Sequence, residues 1–260
     1  MPRRRGLLEL VVLGSGSFAP AIGEAPADVR NPAGYALRVD DDLLLFDFGF
    51  GNLRQLFRAN LNPASVTHAF FSHRHPDHVG DLPALLFYLR HAHKPSSGKL
   101  GLYGPRGFKA FVGRLMKAHH PWLSPRGYGI EIRELEDRES VGKKRWKVSC
   151  REVPHSTEAL AFRLDSSSGS FCYTGDTGFD PGLCLFAKDA DLFVLECSLP
   201  DHKKFPHHLQ VSQAMTLFKH SGAKRGLLSH FSQASYADLR KKLGRNSGMK
   251  PAQDLMRIKI

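Results

Sequence analysis

Cysteine is scarce in this chain, and none of the four, Cys150, Cys172, Cys184 and Cys197, falls in a Cys-x-x-Cys pair. That excludes thiolate-rich zinc modules and the disulfide frameworks of small secreted proteins. Their surroundings (VSCRE, SFCYT, GLCLF, LECSL) read as strands and a helix, so buried reduced thiols and a cytoplasmic location are expected. Long apolar runs are missing as well: nothing approaches the roughly 18 residues of a membrane-spanning helix, which excludes such a span, and no membrane partner is expected. Met1 to Arg5 followed by Leu7 to Leu13 imitates a secretion signal, but Glu9 interrupts it and Gly14-Ser15-Gly16 follows at once, so the segment reads as a first strand. That glycine turn lacks the rest of a phosphate-binding pattern. No linker, repeat or low-complexity stretch divides the chain, and one domain over residues 1–260 is expected. Acidic residues are the minority, 25 against 37 Lys and Arg, a net charge of +12 that favours anionic partners. The excess is dispersed over Arg3 to Arg5, a hinge-like Lys143 to Lys147 and Arg240 to Lys250, without the aromatic-plus-basic stripe of a nucleic-acid module.

What is present is a regular alternation. Strands are expected at Leu7 to Leu13, Tyr35 to Val39, Leu43 to Asp47, Thr67 to Phe71, Leu100 to Tyr103, Ile130 to Leu135, Trp146 to Val153, Ala161 to Leu164, Ser170 to Tyr173, Leu192 to Glu196 and Gly226 to Ser229. Helical spacing covers Asn52 to Asn60, Leu82 to Ala92, Gly107 to His119, Pro181 to Phe186, Ser212 to His220 and Tyr236 to Leu243. Hairpins followed by strand-helix units in each half predict an α/β (α+β) fold, a four-layer αβ/βα sandwich of two mixed sheets.

The decisive segment is Phe70-Phe71-Ser72-His73-Arg74-His75-Pro76-Asp77-His78, where an apolar strand runs into His-x-His-x-Asp-His. Residues two apart on extended backbone face the same way, so His73 and His75 can grip one cation, and a turn at Pro76 swings Asp77 and His78 toward a second. His155, Asp176 and His230 follow three later strands, where loops at one end of a sheet converge, and a carboxylate such as Asp176 can bridge two cations. Imidazole and carboxylate make zinc the default, with manganese or iron as competitors. Asp81 reads as a cap of the next helix. His91, His93, His119, His120 and the Trp122 to Tyr128 segment read as exposed helix ends and a packing loop.

On these motifs the sequence resembles metallo-β-lactamase-fold hydrolases, most closely the ribonuclease Z and phosphodiesterase branch, from Gly14-Ser15-Gly16 through Phe46-Asp47-Phe48-Gly49 to His230. The resemblance implies one metal on His73, His75 and His155, another on Asp77, His78 and His230, Asp176 bridging, and Asp47 supporting the ligand loop. It implies phosphodiester cleavage by a metal-bridging hydroxide, with Asp77 in the catalytic set and homodimers common among relatives. A histidine stands at position 75 where di-iron flavoproteins carry glutamate, and Asp176 where zinc β-lactamases carry cysteine. The proton-shuttle motifs of ribonuclease Z are altered to Leu195-Glu196-Cys197-Ser198 and His208-Leu209-Gln210, which keep an acid and a histidine; Glu196 polarising His208 as general acid is the expectation. The long arm with which that family grips tRNA has no room between His155 and Asp176. A small or oligomeric phosphodiester, RNA included, therefore fits better than whole tRNA. A lactone or thioester hydrolase of the same superfamily is the nearest alternative, and a non-catalytic metal-containing nucleic-acid-binding protein a more distant one.

Overall fold

Period-two patterning accounts for both sheets. In the computed structural model, which describes residues 6–18, 29–244 and 247–260, the first strand, β1 (Leu8–Gly14), is buried along its whole length. Its Leu8, Leu10 and Val12 join one apolar cluster while Val11 and Leu13 join another on the opposite face. The basic start, Arg3 to Arg5, lies outside the described residues.

The first half continues through β2 (Gly34–Val39), β3 (Asp42–Phe48), α1 (Asn52–Arg58), β4 (Val66–Phe70), α2 (Pro76–Val79), α3 (Leu82–His91), β5 (Lys99–Gly104), α4 (Phe108–Ala118) and β6 (Gly129–Glu134). The second half comprises β7 (Ser140–Lys143), β8 (Trp146–Glu152), β9 (Leu160–Ser166), β10 (Gly169–Tyr173), α5 (Gly182–Phe186), β11 (Leu192–Glu196), α6 (Val211–Ser221), β12 (Gly226–Ser229), α7 (Gln233–Lys242), β13 (Met249–Pro251) and β14 (Arg257–Lys259). Two seven-stranded sheets result, in the orders β14-β1-β2-β3-β4-β5-β6 and β13-β12-β11-β10-β9-β8-β7. Each has an antiparallel portion followed by parallel strands, β3 to β6 in the first sheet and β10 to β13 in the second.

Three apolar clusters separate four layers. One lies between the sheets and includes Leu10, Leu37, Phe46, Phe162, Phe171 and Val194. A second packs the first sheet on α1, α3 and α4, and a third packs the other sheet on α5, α6 and α7. The expected four-layer α+β sandwich is the observed one. Because crossover helices return the chain to the same edge, the carboxyl ends of the parallel strands gather along one rim, where ligand sites of such sheets form.

Three strands were not expected: β7, β13 and β14. Lys143 to Lys147 is not a hinge but the tip and flank of a tight hairpin, with Lys143 paired to Trp146. Among the described residues, no helix is long and apolar enough to cross a membrane.

Candidate metal centre

At the carboxyl end of β4 the chain leaves the sheet extended, and Phe71 N–H still donates to Tyr103 O at 2.8 Å. His75 keeps an extended conformation, then Pro76 at the first helical position starts the one-turn α2, which carries Asp77 and His78. His73 Nε2 and His75 Nδ1 consequently lie 3.0 Å apart, as their spacing predicts. His155 follows β8 and brings Nε2 to 3.3 Å from His75 Nδ1. His78 Nε2 faces His230 Nε2 at 3.2 Å, and Asp77 Oδ2 lies 3.6 Å and 3.5 Å from these two nitrogens. Asp176 spans the groups: its Oδ2 is 3.9 Å from His73 Nε2 and 3.4 Å from His78 Nε2, and its Oδ1 is 3.4 Å from His230 Nε2. All seven residues singled out in the sequence meet in one cluster.

Supporting hydrogen bonds decide which nitrogens face inward. Asp47 accepts from Ser72 N–H through Oδ1, and from Ser72 Oγ, His78 Nδ1 and Tyr173 OH through Oδ2, at 2.6 to 2.8 Å. Since the Ser72 hydroxyl is committed to Asp47, His73 Nδ1–H must donate to Ser72 Oγ, 2.9 Å away. The same logic holds at His230, whose Nδ1–H donates to Ser198 Oγ while that hydroxyl donates to Glu196 Oε2. His155 Nδ1–H donates to His207 O. With Nδ1 engaged, each of these four imidazoles turns Nε2 toward the centre.

That geometry fits divalent cations. Neutral His78 and His230 would set two Nε2 lone pairs face to face at 3.2 Å, a repulsion that a shared cation relieves, and Asp176 Oδ1 is buried without any hydrogen-bond partner. Groups of ligand atoms close enough for one ion are His73, His75 and His155; Asp77, His78 and His230; His73, His78 and Asp176; and two that include His208, with His155 and Asp176 or with Glu196 and His230. Burial holds the His73 imidazole well below its ordinary pKa, keeping it neutral for coordination. At His78 burial acts in the same sense, but the Asp176 and Asp47 carboxylates override it and hold the pKa well above the ordinary value. Burial of Asp176 is likewise outweighed, by His230 and His78, so its pKa lies well below the usual carboxylate range.

Beside the cluster, His208 Nδ1 donates to Glu196 Oε1 at 2.9 Å and lies 3.8 Å from Asp176 Oδ2. Thr177 N–H, Ser198 N–H and Ser198 Oγ occupy the remaining acceptor positions of Glu196. Burial lowers the His208 pKa, yet the hydrogen bond and charge of Glu196 raise it to about 9.

Sequence reading missed Ser72, Ser198 and Tyr173, whose hydroxyls carry no signal of their own; only the adjacency of Ser72 to His73 hinted at a role. Asp81 occupies the position before α3, but its Oδ2 accepts from Leu53 N–H at 2.7 Å, so it caps α1. Two glycines are sterically required. A Cβ on Gly49 would stand 2.0 Å from Asp77 O, and one on Gly175, at φ +59°, would stand 2.6 Å from Ser72 Cβ. His91, His93, His119 and His120 are exposed, as expected.

Two mixed sheets face to face, with a histidine and aspartate cluster at the carboxyl ends of their parallel strands, define the metallo-β-lactamase fold. The chain belongs to the β-lactamase superfamily, whose domain matches residues 43–231. It is 33% identical over 202 residues to Rv1339 of Mycobacterium tuberculosis, covering 76% of this chain and 73% of that one. Ribonuclease Z of Pyrococcus furiosus is 25% identical over 292 aligned positions, covering 91% and 92% of the two chains. The crystal structure of the metallo-β-lactamase fold protein YhfI from Bacillus subtilis superposes with a TM-score of 0.78 over 98% of this chain and 99% of that one, at 21% identity. The chain is a hydrolase of this superfamily.

Proposed function

We propose that the chain is a dinuclear-metal phosphodiesterase, a single domain spanning residues 1–260. In this reading His73, His75 and His155 hold one cation, Asp77, His78 and His230 the other, and Asp176 both; zinc suits the imidazole and carboxylate donors best. When bound, two divalent cations supply Lewis acidity toward a phosphoryl group and acidify water. The observation that carries the proposal is the placement of His208, fixed by Glu196 at 2.9 Å beside the cluster. An alkoxide leaving phosphorus needs a proton, and a histidine held by a buried carboxylate delivers it as the P–O bond breaks. Nδ1 is committed to Glu196, so the proton leaves from Nε2. The half-exposed ring of Phe205 lies 5.8 Å from that of His208 at 23° and offers a planar apolar surface on the leaving-group side.

Similarity to ribonuclease Z supports phosphodiester chemistry. The β9–β10 hairpin occupies the stretch from Ser156 to Gly175, leaving no arm for a whole tRNA, so the substrate is a smaller phosphodiester, cyclic or linear. The test is turnover of bis(p-nitrophenyl) phosphate by metal-analysed protein, beside a lactone and a thioester, with His73→Ala as control. Phosphodiester turnover that requires two metals per chain and vanishes in the variant is expected; turnover confined to the lactone or thioester would overturn the reading.

A further inference from the structure

Two buried tyrosines cross the sandwich in opposite directions, and each ends against the candidate metal centre. Tyr173, at the end of β10 in the second sheet, donates to Asp47 Oδ2 at the end of β3 in the first, at 2.6 Å. Tyr35, on β2 in the first sheet, donates to Ser229 Oγ at the end of β12 in the second, also at 2.6 Å. The rings touch, with centroids 4.9 Å apart, and both side chains are buried.

What these hydroxyls hold is specific. Asp47 also accepts from Ser72 and from His78 Nδ1, so Tyr173 ties the whole Asp47-Ser72-His78 unit of the first sheet to the strand that leads into Asp176. Ser229 precedes His230, whose backbone sits at φ +58°, a conformation that a histidine keeps only when its surroundings enforce it. Tyr35 thereby ties His230 to the sheet that supplies Asp77 and His78.

The Tyr35 tie serves one half of the cluster, through His230, whereas the Tyr173 tie reaches both, His78 directly from Asp47 and His73 through Ser72. Asp77, His78, His230 and Asp176 come from opposite sheets, two from each, and must agree in position to within about 0.5 Å to share a cation. By contrast, His73 and His75 leave one extended segment together, and only His155 joins them from the other sheet.

We propose that Tyr35 and Tyr173 are positioning residues that register the two sheets at the metal centre, Tyr35 setting the affinity of the Asp77, His78 and His230 site selectively and Tyr173 that of both sites. The inference rests on the reading of the cluster as a two-cation centre. The rival explanation is that these are ordinary core hydrogen bonds that contribute to stability alone.

Zinc competition against a chromophoric chelator, run on the full chain, separates the two. The native protein is expected to bind two zinc ions per chain. Tyr35→Phe should weaken one of the two ions by about 10-fold to 100-fold and leave the other within about twofold, whereas Tyr173→Phe should weaken both, on the scale found when partners of metal ligands are removed. Ser229→Ala, which removes the acceptor of Tyr35, should reproduce Tyr35→Phe and serves in its place should that variant not fold. Ser221→Ala is the control: it deletes a buried hydroxyl that donates to Phe218 O at 2.8 Å away from the cluster, and should lower the metal-free melting temperature without changing either affinity. Tyrosine variants that lose stability like this control yet bind both ions as tightly as the native chain would overturn the proposal. A native chain that binds fewer than two ions would overturn the two-cation reading, and the proposal with it.

Discussion

The two halves of the candidate metal centre are assembled by different means. His73, His75 and His155 are an all-imidazole group, and two of its members come from a single extended segment. Asp77, His78 and His230, with Asp176 beside them, bring carboxylates, lie deeper, and depend on partners drawn from both sheets. The first half is a local construction that a short motif encodes. The second is a product of tertiary registration, so it should respond to changes in residues that never touch a cation.

The largest effect should come from erasing the difference. Asp176→Asn removes the charge of the one carboxylate that both halves share, and should reduce bound zinc below two per chain and turnover to background; metal analysis and kinetics check both. Full occupancy and turnover in that variant would show that the halves work independently. A smaller and more selective loss is expected from His208→Ala, which leaves every ligand in place. Turnover of a phosphodiester with an alkyl leaving group should fall by about 10²-fold to 10⁴-fold, while that of bis(p-nitrophenyl) phosphate changes little because p-nitrophenolate leaves without a proton. Equal losses on both substrates would move His208 from proton donor to a positional role.

The smallest effect belongs to the far end of the sandwich. Asp191 accepts from Ser170 N–H at 2.8 Å, and its ion pair with Lys224 is 2.7 Å long. Burial opposes its charge, but the Lys224 hydrogen bond and the Ser170 donors outweigh it and depress the pKa. A depressed carboxylate contributes stability above its unfolded pKa, and that contribution is lost as pH falls through the folded value. Asp191→Asn should thus flatten the loss of stability below about pH 4, read as the urea midpoint against pH, with zinc stoichiometry at neutral pH unchanged.

The same contrast explains how much was legible in the sequence. His-x-His-x-Asp-His identified itself because its geometry is local, and β1 and β3 were found because each is a short, nearly continuous apolar run buried on both faces. Glu196 and His208 were found through altered but matching motifs. Tyr173, Ser198 and Ser229 were not found, because a hydroxyl acquires its role only from a partner placed by long-range pairing. β14 escaped for a related cause: three residues, Arg257–Lys259, gain their structure solely by pairing with β1 at the other end of the chain. β7 is an exposed, polar edge strand whose sequence reads as loop.

That last pairing has a mechanical consequence. β1 and β14 run antiparallel with Ile260 N–H bonded to Leu8 O, so the ends of the ladder sit side by side. A load applied between them does not shear the ladder as a block; it opens one rung at a time, like a zip drawn from its end. Under traction the molecule would yield along this seam first, whereas the rim that gathers the imidazoles, spanned by hydroxyl ties between the sheets, would bear load on several bonds at once.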